Sequence, residues 1–314
     1  MARTNFSGPI NVGRIQNTTG SIISENVRNV AFVECHASFP VNHSNFTVTT
    51  DDNKLAVTGS NGAGTTSVTF VDATQNVPGI TSDGGFEAAS VITLDSGGND
   101  SALTATITGT DVLGNAQTED ITMGNAGSVT TVKTFKTVSS ITVSGAGTVG
   151  TLQVGVVATG LISVVCRSLF NEYPLAETAD SSPKNLANNI VIPKFSRIND
   201  IRFVVNEAFD TAGFDMQIGA NVAQAAGSMT NSLDIDYFAG DADNDVRTVA
   251  SHHIPTGMDQ SVAQMKNCLN VSDDDAASFE MDKVVVITAK TDDALTTGEG
   301  VLNMYWTQQI NNTN

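Results

Sequence analysis

Carboxylates at alternate positions are the first residues in this chain that suggest chemistry. In Gly240-Asp241-Ala242-Asp243-Asn244-Asp245, three Asp side chains offer the hard oxygen ligands that calcium prefers, at the spacing that opens an EF-hand loop. The positions that follow depart from that loop: Val246 stands where a glycine is needed, and His252 where the distal bidentate glutamate belongs. Asp241, Asp243 and Asp245 are therefore a candidate calcium set, set against the plainer reading of an acidic turn after Tyr237-Phe238. Ser272-Asp273-Asp274-Asp275 has a similar pair of readings, as a further carboxylate source or a cap. Calcium is the one cofactor these residues suggest, and none is required.

Other chemistry-bearing side chains do not assemble into a recognisable machine. His252 and His253 are neighbours, and on an extended chain their rings point to opposite sides, so they do not easily share one ion. His36 and His43 have no serine or cysteine motif of nucleophile type nearby. Paired carboxylates of the glycosidase kind cannot be recognised from spacing in sequence. The expectation is a protein that is not an enzyme.

Charge narrows the partners. With 15 basic against 33 acidic residues, the 314-residue chain carries a formal charge of -18, and its pI is about 4.3. Phosphate contacts need clustered Lys and Arg, and there is no such cluster, so a nucleic-acid partner is not expected. No run approaches the roughly 20 apolar residues of a membrane span, and the first ten residues lack the apolar core of a signal peptide. A soluble, unprocessed protein is expected. Cys35, Cys166 and Cys268 are odd in number and far apart, which suits a reducing cytoplasm better than a disulfide framework or a zinc site.

One segment inverts the overall charge. Residues 1–24 contain no acidic residue but include Arg3 and Arg14, interrupted by Gly8-Pro9 and Gly13. They read either as a frayed terminus or as an arm that orders against a partner's acidic surface. If it is an arm, Arg3, Phe6, Ile10 and Arg14 are the docking residues.

The elements that must position these groups are strands. The stretch Ile190 to Ile218 predicts a core strand packed on two faces over Ile198 to Val205, then a turn over Ala208 to Gly213, then a half-wet strand through Phe214, Met216 and Ile218, the two strands forming a hairpin. Val284 to Ile287 and Leu302 to Trp306 have the same apolar character and can share one sheet system with it. On the last of these strands Trp306 is expected in the core and its neighbour Tyr305 at the rim. Val27 to Val41 is the first strand, closed by Pro40.

From about Phe46 to Gly160 the texture turns to Thr, Ser, Gly and Asn. Short alternating runs, including Ser67 to Val71, Ala89 to Leu94, Leu103 to Thr108, Thr118 to Met123, Val129 to Phe135 and Ser140 to Val143, are separated by turn signals such as Gly114-Asn115. Short strands at regular spacing predict a β-sandwich. Only Val222 to Met229 and Gln260 to Leu269 have helical spacing. The expected fold is all-β: a sandwich or jelly roll of residues 25–76 and 160–314 behind the arm, split by an inserted Ig-like module of residues 77–159.

A resemblance enters at Thr106 to Val143. The segment T-G-T-D-V-L-G-N-A-Q-T-E, followed by F-K-T-V-S-S-I-T-V, resembles the Ig-like modules in structural proteins of tailed bacteriophages. The opening N-F-S-G-P-I and the run I-P-K-F-S-R-I-N-D-I-R-F-V-V-N-E-A-F are similar to a group of phage virion proteins. The resemblance implies a virion component assembled in the host bacterial cytoplasm, and the chain lacks helices long enough for the major shell subunit. Within that class the leading expectation is a capsid decoration or cement protein, self-associated as a homotrimer and bound to the major capsid protein. An alternative is a tail fibre, baseplate or tail-adaptor part that contacts a host-surface glycan. Outside that family, a calcium-dependent carbohydrate-binding module built on Asp241, Asp243 and Asp245 is the remaining alternative.

Overall fold

The computed structural model describes residues 30–48, 50–56, 61–70, 88–157, 159–168, 170–171, 189–193, 196–210, 215–223, 231–240, 248–254 and 282–311. These residues form antiparallel sheets joined by turns, with one short 3-10 turn at His43–Phe46, so the chain folds as an all-β sandwich protein. Among the described residues no helix is long and apolar enough to cross a membrane.

Two sheets enclose the larger core. The first has five strands in the order β11 (Phe170–Asn171), β1 (Val30–Asn42), β18 (Glu299–Asn311), β13 (Ser196–Glu207) and β16 (Ser251–Ile254). The second runs β15 (Asn231–Ala239), β14 (Asp215–Ala223), β17 (Lys283–Thr291), β10 (Gly160–Val165) and β3 (Ala89–Ser90), with β12 (Val191–Ile192) also pairing with β17. Phe39, Phe203, Leu302 and Trp306 from the first sheet meet Ile162, Met216, Ile218 and Ile287 from the second. Burying this apolar surface is what holds the sheets face to face.

The expected hairpin does not form. β13 pairs with β18 and β16, whereas β14 pairs with β15 and β17, so the turn after β13 carries the chain from one sheet to the other. β13 is also packed on one face and not on two: Ile198, Ile201, Phe203 and Val205 are buried while Asn199, Arg202 and Asn206 are exposed. A register shift between Ile198 and Asp200 explains the sequence pattern. The extra residue brings Ile198 into phase with Ile201, although strict alternation would set the two on opposite faces.

Two further expectations change. Pro40 does not close β1 but lies within it, opposite Val301. The His43 amide donates to the Gly298 carbonyl at 2.9 Å, so by alternation the nitrogen of residue 40 faces away from β18, where a missing N–H costs no bond to that strand. Val222 and Ala223, expected in a helix, continue β14 and pair with Ser232 and Asn231. The rest of that segment, and Gln260 to Leu269, lie outside the described residues.

A second core lies between a four-stranded sheet, β2 (Asp51–Ala56), β9 (Leu152–Val156), β4 (Ile92–Ser96) and β7 (Ser128–Thr130), and a three-stranded sheet, β6 (Ala116–Thr122), β5 (Thr104–Thr110) and β8 (Thr137–Val143). Its interior includes Leu94, Ile107, Phe135, Ile141 and Val154. Leu55 and Val68, on the first domain's side of the expected boundary at residue 77, pack in this second core, and Val48 touches both cores. The strand expected over Val129 to Phe135 stops at Thr130, because the Glu119 carboxylate draws the amides of Val132 (2.7 Å) and Lys133 (2.9 Å) out of the ladder. Of the strand expected over Ser67 to Val71, Val71 lies outside the described residues, and the rest holds an isolated bridge from Ser67 to Thr142 with the Val68 amide donating to the Ile141 carbonyl at 2.9 Å.

The two cores are tied together at β3. Ser90 pairs with Ile162 of β10 on one side and exchanges two backbone hydrogen bonds with Phe135 on the other, at 3.1 and 2.8 Å. Beside this crossing the Thr134, Ser163 and Thr288 hydroxyls form a buried chain, with links of 3.0 and 2.8 Å. A hydroxyl can donate or accept, and Ser163 bonds to both neighbours, so the chain gives each of these buried hydroxyls a partner.

Candidate functional site

The outer face of the five-stranded sheet collects residues that are far apart in sequence. β1, β18 and β13 lie side by side, so residues opposite one another form rows across the sheet. One row is His36, Tyr305 and Asp200; the next is Ser38, Asn303 and Arg202; a third is Pro40, Val301 and Val204. The His36 and Tyr305 rings stack with centroids 5.6 Å apart and planes 16° apart. Arg202 Nε donates to Asp200 Oδ2 at 2.6 Å, and Ser38 donates to Asn303 at 2.7 Å. Tyr305 is 37% exposed, while its neighbour Trp306 is fully buried on the opposite face.

This face combines an aromatic stack, a charged pair and a short apolar row on one sheet. It is also where the N-terminal segment joins the fold. β1 begins at Val30, whose partner across the ladder is Asn311, so the chain preceding residue 30 enters at one end of this sheet. Arg3, Phe6, Ile10 and Arg14 themselves lie outside the described residues, as do Asp241, Asp243 and Asp245.

The remaining candidates resolve into structural roles. His252 and His253 sit in β16, paired with Phe203 and Arg202, and His252 Nε2 lies 3.0 Å from the Thr248 carbonyl. Cys35 and Cys166 are buried, and burial pushes the Cys166 thiol well above its usual range, which keeps it protonated and poorly nucleophilic. Cys268 lies outside the described residues. Among the described residues no group of three or more His, Cys, Asp or Glu side chains could hold a metal ion.

Buried carboxylates serve turns. Asp100 accepts from Ser96 Oγ at 2.5 Å and from the Val149 amide at 2.6 Å, which ties two loops together. Asp111 accepts from the Leu113 and Asn115 amides and from Asn115 Nδ2, closing the turn that joins β5 to β6. In the T-D-V-L-G-N-A motif, then, the aspartate is a turn anchor.

No family model matches the chain, and none of the curated proteins matches it. Among solved structures, a chain from the structure of the infectious bursal disease virus Gt strain aligns over 93% of this chain and 84% of its own length, at 10% identity and a TM-score of 0.13. A score that low carries no information about fold or role.

Proposed function

We propose that this chain is a non-enzymatic virion structural protein, a decoration or cement protein of a tailed-phage head that docks on the assembled shell. The observation that supports this reading best is that the polar and aromatic face of the five-stranded sheet and the entry point of the basic N-terminal segment belong to the same sheet. A surface and a tether arising from one rigid element can engage neighbouring shell subunits together, and the contact area is lost when the shell comes apart. Binding of this kind stabilises the assembled lattice by mass action. The resemblance of Thr106 to Val143 to phage Ig-like modules points the same way.

In this reading Arg3, Phe6, Ile10 and Arg14 reach the major capsid protein, and the chain acts as a homotrimer at local threefold positions. The test is its copy number in purified particles, measured by quantitative mass spectrometry against the major shell protein. A ratio near one to one is expected. A few copies per particle would overturn the head assignment and favour the tail-part alternative. Removing residues 1 to 20 should abolish particle binding without unfolding the protein, and unchanged binding would remove the arm from the mechanism.

A further inference from the structure

The chain passes from one core to the other between Phe46 and Leu55, between Ala88 and Ile92, and again between Val156 and Ile162. Two packed units joined by such passages are expected to move against each other, unless the contact between them is large and apolar. Here the passages are built into the sheets. Ala89 and Ser90 are buried and pair with Ser163 and Ile162 of β10, while Ser90 also exchanges two backbone hydrogen bonds with Phe135 of the second core. One strand thus belongs to both units. Gly160, at φ +103°, brings the chain out of β9 and into β10 hard against buried Val91, where a Cβ on residue 160 would lie 2.9 Å from Val91 Cγ2.

Polar groups at the seam are satisfied across it. Thr134 is fixed to the second unit, because its carbonyl accepts from Gln117 Nε2 of β6 at 2.6 Å and its neighbour Phe135 is part of that core. Ser163 and Thr288 stand side by side on the six-stranded sheet. All three are buried, and the Ser163 hydroxyl bonds to Thr134 on one side and to Thr288 on the other. Swinging the second core away would break the Thr134 link in a place closed to water, and a buried hydroxyl that loses its partner is costly.

We infer that the two cores form one rigid, cooperative body, coupled through β3 and through the Thr134, Ser163 and Thr288 hydroxyls, with Ser163 as the joint. The second core therefore holds a fixed orientation relative to the five-stranded sheet. A contact made by either unit loads the other directly, with no flexible joint between them, and a loss of stability in one is felt in both.

The test uses the full chain, whose single tryptophan, Trp306, lies in the larger core and reports on it by fluorescence. Amide NMR signals of Ile107 and Ile141 report on the second core. In urea the two probes should lose their native signal at the same midpoint and with the same slope. Backbone relaxation at Phe203 and Leu302 should fit the same rotational tumbling as at Ile107 and Ile141. Ser163→Ala, made in the larger unit, and Thr134→Val, made in the second, should each lower both midpoints together by about 0.3–1 M urea, since each leaves a buried hydroxyl short of a bond. Three results would overturn the inference: separate midpoints or separate tumbling in the unaltered chain, a midpoint that falls only for the altered core, or midpoints indifferent to both substitutions. The comparison within the unaltered chain decides the matter even if a variant fails to fold.

Discussion

Trp306 and Tyr305 are adjacent on β18 but face opposite ways, and the energetic contrast between them can be worked out from their surroundings. Trp306 is fully buried between the sheets, so Trp306→Ala should cost about 3–5 kcal/mol, as truncation of a large buried aromatic does. Its indole Nε1, however, has no hydrogen-bond partner among the described residues. Trp306→Phe forfeits the burial of three ring atoms, roughly 2 kcal/mol at about 0.8 kcal/mol per carbon-sized group. It also removes an unsatisfied buried donor whose presence costs about 1–3 kcal/mol. The two effects nearly cancel, and the net change should lie within about 1 kcal/mol of zero. Tyr305→Ala, on the exposed side, gives up its stack on His36 and should cost about 1 kcal/mol. Urea denaturation followed by tryptophan fluorescence for Tyr305→Ala, and by circular dichroism for all three variants, measures these differences at constant m-value. If Trp306→Phe lost as much stability as Trp306→Ala, the buried indole nitrogen must have a partner and the reasoning fails. If Tyr305→Ala lost as much as Trp306→Ala, the assignment of faces on β18 is wrong.

Other consequences follow from close approaches and charges. A Cβ added at Gly109 would fall 1.9 Å from the Thr137 carbonyl oxygen, beside the irregularity in the β5–β8 register, so Gly109→Ala should destabilise the second core by at least about 1–3 kcal/mol, measurable as a lower urea midpoint. Hydrogen bonds from the Thr296 hydroxyl and amide hold the Asp210 carboxyl below the usual carboxylate range. Because the folded pKa is the lower one, the stabilisation is present above the ordinary carboxylate pKa and is lost as pH falls through the depressed value. Thr296→Val should therefore flatten the acid limb of the stability–pH profile, by a small amount because the carboxylate is exposed to solvent.

Much of the strand content was legible because alternation and turn residues are local signals. Leu103 to Thr108 and Ser140 to Val143 fall on or beside strands of the structure, as do Val284 to Ile287 and Leu302 to Trp306. The failures were non-local. A turn after β13 announces a change of direction, but nothing in Ala208 to Gly213 says whether the returning strand stays in the same sheet or crosses to the facing one. The irregularity at Asn199 hides a one-sided strand behind a two-sided pattern, because an extra residue leaves no compositional mark. The rows on the outer face of the five-stranded sheet were illegible for the same reason. His36 meets Tyr305 only because sheet pairing brings distant segments together.

The long ladder between β1 and β18 has a mechanical consequence. Val30 and Asn311 lie at the same end of 13 residues of β1 paired throughout with β18, and Asn42 and Glu299 lie at the other. A force that draws residue 30 away from residue 311 loads the hydrogen bonds one rung at a time, as in opening a zipper. A force between residue 30 and residue 299 runs along the strands and loads all the rungs at once. The same sheet is thus compliant to one direction of pull and stiff to the other, and an anchor placed upstream of β1 peels or holds according to where on the molecule the opposing load is borne.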